Sequence, residues 1–179
     1  TDATISWQLG VWSSDRGYPE NGAFYEQRLV AARNDIQPQT MWFSQTADFE
    51  NHAPDNDAGS VADSDAPNYA ISADDVNAIL WLSPGLNLVI GTTGGVWIPS
   101  SVGAVLTPTD IDLKRHTKHG SAKVQPIRVG HVVLFLQKAK RKIREFAFHF
   151  EVDGFRAFDM TRLADHILLS GVTEIDFAQ

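Results

Sequence analysis

The sequence predicts a mainly β fold made of antiparallel meanders, propeller-like in the manner of a partial β-propeller, with one short α-helix; a β-sandwich is the alternative. Three observations predict it. Short apolar runs rich in aromatic and β-branched residues dominate the chain, turn-forming Pro, Gly and Asn residues separate them, and three hairpin-like units of similar form follow one another. At 179 residues, 43 % hydrophobic and 21 % charged, the chain is long enough and apolar enough for a sizeable core, which excludes wholesale disorder. We expect one β-rich domain over 1–179. Its apolar runs, such as Val132 to Leu136, fall far short of the roughly 18 to 20 residues of a membrane-spanning helix. The absence of cysteine removes disulfides, thiolate metal sites and a cysteine nucleophile.

The first unit pairs Ala23 to Ala32 with Thr40 to Ser44 across the turn-forming stretch Arg33-Asn-Asp-Ile-Gln-Pro. Residues 51–67 mix Asp, Asn, Ser, Ala, Gly and Pro without periodicity and read as a long acidic loop. The second unit has strands at Ala78–Leu82, Asn87–Thr92 and Val96–Ser100, joined by Ser83-Pro-Gly and Thr93-Gly-Gly turns. The third has strands near 125–129, 132–137 and 143–152. In the last of these, Phe146, Phe148, Phe150 and Val152 alternate with Ala147, His149 and Glu151, which puts the rings on one core-facing side. Met160, Leu163, Ala164, Ile167 and Leu168 recur at helical offsets between a capping Asp159 and a terminating Gly171, so an amphipathic α-helix is expected there, followed by a strand over Val172 to Phe177. Because the sequence opens at Thr1 and stops within that strand-like alternation, it is expected to be a piece of a longer protein.

The net charge of −7 conceals two opposed parts. Residues 1–113 carry 3 basic and 15 acidic side chains, whereas 114–179 carry 12 and 7. Lys114 to Arg144 holds ten cations and no acid; Asp48 to Asp75 holds eight acids and no base. Such patches steer partners, including copies of the same molecule. Nucleic-acid binding is one reading of the densest cluster, Lys138, Lys140, Arg141, Lys142 and Arg144, but no aromatic residue interleaves the run as a stacking platform for single strands requires. A solvated hairpin turn is the plainer reading.

Other chemistry is weakly signalled. His116 and His119 are three apart, as metal ligands on a helix could be, yet Lys114, Arg115 and Lys118 beside them repel a dication and the local pattern is extended. Asp55-Asn-Asp-Ala-Gly and Asp63-Ser-Asp lack the ligand order of a calcium loop. Gly91-Thr-Thr-Gly-Gly precedes Val96-Trp-Ile, a strand rather than the helix a phosphate loop opens. No local signature marks a nucleophile, so no catalytic residue, metal or cofactor is assigned and an enzyme is not expected.

Gln27-Arg28-Leu29, Thr40-Met-Trp-Phe-Ser, Asp48-Phe49, Leu88-Val-Ile-Gly-Thr-Thr-Gly-Gly-Val-Trp, Leu106-Thr-Pro, Gly120-Ser-Ala-Lys-Val-Gln-Pro, Val132-Val-Leu-Phe-Leu-Gln, Arg141-Lys-Ile-Arg-Glu and Asp159-Met-Thr-Arg-Leu-Ala-Asp-His follow in this order. Together, from about Tyr18 to Gln179, they resemble the nozzle proteins (tail tubular protein B) of short-tailed bacteriophages and related prophages. The resemblance implies a virion structural protein located in the tail and made in the bacterial host cytoplasm. It implies a ring of copies, typically six, next to adaptor and fibre proteins. It also implies a β-propeller, and a distal tube through which double-stranded DNA passes without specific binding. The sequence departs from the family at Lys138-Ala-Lys, where glycines often stand, and family members continue well past the position of Gln179.

For such a tube, a DNA-holding lumen would slow passage, because each phosphate neutralised by Lys or Arg adds affinity. The cations Lys138, Lys140, Arg141, Lys142 and Arg144 are therefore expected to contact a neighbouring subunit or adaptor. Asp55, Asp57, Asp63 and Asp65 are the candidate complement. The alternative function is a binding module in which Trp12 or Trp97 at a rim holds a glycan or host-surface ligand.

Overall fold

The computed structural model describes residues 11–55, 59–73, 76–101, 105–163 and 165–178. The fold is mainly β, with three antiparallel four-stranded sheets, none closed into a barrel. The first comprises β1 (Asn21–Tyr25), β2 (Arg28–Ala32), β3 (Thr40–Phe43) and β4 (Asn68–Ala70). The second comprises β5 (Ile79–Ser83), β6 (Val89–Thr92), β7 (Gly95–Ser100) and β8 (Asp112–Thr117). The third comprises β9 (Ile127–Val129), β10 (Val132–Leu136), β11 (Ile143–His149) and β12 (Gly154–Asp159). In each sheet the strands lie side by side in chain order, so every sheet is a meander.

The sheets stack face to face with the second in the middle. One face of that sheet, through Ile79, Leu82, Ile90 and Trp97, packs on Val30, Ala32, Met41 and Phe43 of the first. Its other face, through Trp81, Val89, Val96 and Ile98, packs on Val133, Phe135 and Phe146 of the third. A sheet covered on both faces needs continuous apolar strands rather than alternating ones, which is why Ile79-Leu-Trp-Leu and Leu88-Val-Ile read as unbroken apolar runs. A bulge between Ile79 and Trp81 keeps the two faces in phase.

The first strands of the meanders gather along one side. β1 lies against β5, Gln125 Nε2 donates to Leu82 O at 3.3 Å, and Arg128 Nη2 donates to Ser83 O at 3.1 Å, which ties the third sheet to the end of β5. Glu20, just ahead of β1, accepts from Lys123 Nζ at 2.5 Å and pairs with Arg33 at 3.4 Å. These pairs link the start of the first sheet to the approach to the third.

Several sequence expectations change. Residues 23–32 form a hairpin rather than one strand, because Glu26 and Gln27 both take left-handed backbone (φ 47° and 60°), the conformation of a two-residue type I′ turn. The usual Asn-Gly signal for that turn is missing. Strands β4, β8 and β12 were not anticipated. The expected α-helix after Asp159 is replaced by turns and a single 3₁₀ helix at Asp165–Leu168. Met160, Leu163 and Ile167 are exposed there, and Ala164 lies outside the described residues. The stripe has no sheet face to cover, since Val172 and Ile175 already pack with Ala122, Val124, Leu136 and Ile143, and a short helix without burial is unstable. Gly171 does adopt the left-handed conformation (φ 81°). Residues 172–177 run beside the third sheet without strand pairing. The Phe stripe is buried only at Phe146; Phe148 is partly exposed, and Phe150 falls in a 3₁₀ turn beyond the strand.

In the core, Gly91 of β6 lies directly against the Trp81 side chain of β5. A Cβ on Gly91 would stand 2.0 Å from the Trp81 ring, so the indole occupies the space a side chain would need. Gly91→Ala should destabilise the protein by roughly 1–3 kcal/mol through overpacking. Chemical denaturation of the single and double variants should show that Trp81→Leu combined with Gly91→Ala costs less than the sum of the two. Strict additivity would mean that the ring does not set the constraint.

Candidate functional site

The fold sorts the cations of the basic segment into two groups. Lys114 pairs with Asp112 at 2.9 Å, and the Arg115 guanidinium lies 5.7 Å above the Trp97 ring. Lys123 and Arg128 make the inter-sheet contacts described above. Lys142 Nζ donates to Asp159 Oδ2 at 2.7 Å, across the end of the third sheet. Arg144 spans three strands: its Nε donates to Gln137 Oε1 at 2.8 Å and its Nη1 to Ala157 O at 2.9 Å. Lys142 and Arg144 are therefore engaged in holding β10, β11 and β12 together. Lys138, Lys140 and Arg141 stand exposed on the β10–β11 turn, without a side-chain partner among the described residues. Lys140 there takes left-handed backbone (φ 58°).

The acidic candidates divide in the same way. Asp65 is buried; its Oδ2 accepts from the Ala62 N–H at 2.7 Å and its Oδ1 from Gln45 Nε2 at 3.4 Å, so its carboxylate shapes the loop from within. Asp55 and Asp63 are exposed, and Asp57 lies outside the described residues. Residues 63–65 of the loop are held by Arg28, whose buried guanidinium donates to the carbonyls of Ser44 (2.8 Å), Asp65 (2.7 Å), Asp63 (2.7 Å) and Ser64 (3.3 Å). Burial draws the Arg28 pKa below the ordinary arginine value, with Glu26 and Asp65 opposing the shift; a guanidinium nonetheless keeps its charge at neutral pH. Sequence reasoning missed Arg28 because its partners are main-chain carbonyls, which leave no trace in residue identity.

Beside Arg28 lies an open recess of about 580 Å³, bordered by Thr46, Asp63, Thr107 and Asp110. A smaller recess of about 250 Å³ is lined by Trp12, Trp42, His52 and Asn68. In it Trp12 stands edge-on to Trp42, with ring centres 5.8 Å apart, and near His52 at 4.9 Å. Trp97, the other rim candidate, is buried beneath Arg115 and cannot form a rim.

His116 lies in β8, so the extended reading of that stretch holds and the helical metal pair does not form. Its ring meets Phe155 edge-on at 4.9 Å, and burial, followed by the charge of Lys114, lowers its pKa. Burial also lowers that of His119. Among the described residues, no three His, Asp or Glu side chains converge as a metal ligand set would, and no helix is long and apolar enough to cross a membrane.

The Asp159 carboxyl is held down to about 2 by the Lys142 hydrogen bond, and then by the Thr161 hydroxyl and N–H. A carboxylate whose pKa falls on folding stabilises the fold above its unfolded value of about 4, and that contribution is lost as pH falls towards the folded value. Asp159→Asn should therefore flatten the loss of stability between about pH 4 and pH 2, as measured by denaturant midpoints across that range. An unchanged slope would place the acid sensitivity elsewhere. Scans against protein-family models and curated proteins give no match to this chain.

Proposed function

We propose that the chain is an architectural component of a phage tail nozzle, which associates with copies of itself in a ring around a passage for DNA. The observation that carries this reading is the stack of three consecutive four-stranded meanders with their first strands on one side, the arrangement of neighbouring propeller blades. It agrees with the fold implied by the resemblance from Tyr18 onward. The distribution of charge supports it as well. Most cations of the basic segment are engaged within the chain, which leaves Lys118 and one projecting turn rather than the continuous cationic track that holds nucleic acid. Lys138, Lys140 and Arg141 then serve contact between subunits or with an adaptor, where exposed charges of one sign set register and encounter rate.

A binding module for a glycan or host-surface ligand is the second reading, favoured by the Trp12, Trp42 and His52 recess. One comparison separates the two. Under the nozzle reading, light scattering gives a ring-sized mass at low salt that falls as salt is raised, and the Lys138→Glu, Lys140→Glu, Arg141→Glu variant stays monomeric while folded. A chain that is monomeric at every salt and concentration, yet binds a glycan array through Trp12, overturns the nozzle reading in favour of the module.

A further inference from the structure

The turn joining β11 to β12 projects an apolar tip. Phe150 is 91 % exposed, and Phe148 and Val152 beside it are 40 % and 44 % exposed. Scattered exposed apolar residues are ordinary, but several on one projecting turn mark an interaction site. The tip is also held in place by its rings. Phe150 stands edge-on to Phe148 at 5.2 Å, Phe148 edge-on to Phe155 at 5.3 Å, and Phe155 stacks at 5.1 Å on the fully buried Phe146. This ladder of rings runs from the core to the tip. The backbone closes with Asp153 in left-handed conformation (φ 45°), its N–H donating to Phe150 O at 3.3 Å. An aromatic anchor already fixed in one conformation loses little entropy on binding. Two exposed acids, Glu151 and Asp153, flank it.

The opposite end of β11 has the complementary chemistry. Lys138, Lys140 and Arg141 project from the β10–β11 turn, and the chain after β12 folds back against that turn, Val172 N–H donating to Lys140 O at 2.9 Å. This brings the exposed Ile167 and Leu169, just ahead of Gly171, to the same end of the sheet. One end of β11 is thus an aromatic tip flanked by acids, and the other an apolar segment beside unpaired cations. The strand has seven residues, which separates its ends by roughly 20 Å. A contact between unlike ends of two copies repeats head to tail, and so generates a ring or a filament rather than a closed two-fold dimer.

We infer that the Phe150 tip of one copy docks on the Lys138–Arg141 turn and the adjoining Ile167 and Leu169 of a second copy. The inference rests on the self-association proposed above. It replaces the 51–67 loop as the acidic complement, because the tip supplies a desolvating aromatic anchor together with its charges. The exposed acids that follow Phe150, Glu151 and Asp153, disfavour an anionic lipid surface as the occupant.

The test is sedimentation of the chain across a concentration series, with melting temperature as the folding control. Phe150 is almost wholly in solvent, so Phe150→Ser should melt with the parent while its self-association weakens by about thirtyfold, the loss typical of a central anchor. Glu151→Arg and Arg141→Glu should each weaken association, and the two together should recover most of it. Association unaffected by Phe150→Ser but abolished by reversal of the three turn cations would overturn this contact and leave the ring reading standing. A chain that never associates would overturn both. Flotation of the unmutated chain with phosphatidylcholine–phosphatidylglycerol vesicles, lost in Phe150→Ser, would overturn it in favour of a membrane tip.

Discussion

The middle sheet sets the terms for the rest of the molecule, because it must be apolar on both faces and still pair with its neighbours at normal strand spacing. Trp81 and Gly91 meet that requirement together: the largest side chain of β5 lies over the one residue of β6 that has none. The indole then fills the interface with the third sheet, against Phe135 at 5.7 Å between ring centres, while Ile79 and Leu82 on the other side of the bulge fill the interface with the first. If either face were polar, one outer sheet would lose its partner, and a four-stranded meander with no covered face has little to stabilise it.

Arg28 imposes a second constraint, on the acidic loop. A composition of Asp, Asn, Ser and Gly gives the stretch no apolar reason to order. It is ordered nonetheless from Ser64 to Pro67, because a buried cation requires acceptors and the loop supplies carbonyls. The arrangement needs a planar guanidinium with several donors, which a lysine ammonium would not reproduce. Asp65 shows how far this goes. A residue that composition assigns to a charged surface is turned inward, where it shapes the same loop.

Three strands of the middle sheet, β5, β6 and β7, were legible in the sequence because burial on both faces makes unbroken apolar runs, and glycine and proline mark their ends. The β1–β2 turn was not, since Glu26 and Gln27 adopt left-handed backbone without the residues that favour it. β8 was missed because Asp112-Leu-Lys-Arg-His-Thr is polar and pairs at the edge of its sheet, with each face only partly covered, by Leu113 on one side and His116 against Phe155 on the other. The false helix had correct periodicity and correct end signals, but periodicity states only which residues could share a face; whether a surface waits to receive them is decided by tertiary structure. The basic cluster was visible as composition. Its division into structural members, Lys142 and Arg144, and projecting members, Lys138, Lys140 and Arg141, depends on acceptors at Asp159, Gln137 and Ala157 that a linear reading does not bring together.

All the strand pairings named in the three sheets join strands consecutive in the chain. Most of these pairings close through short loops at small entropic cost, the exceptions being β3–β4, across residues 44–67, and β7–β8, across 101–111; further long-range contacts include the two interfaces between sheets, the Arg28 bonds to the 63–65 carbonyls and pairs such as Glu20 with Lys123. For a β protein this keeps most of the strand pairing local, the kind of contact that costs least entropy to close. It also makes the sheet, rather than the whole domain, the natural unit by which such a chain can be lengthened, since an added meander needs only one apolar face to continue the stack.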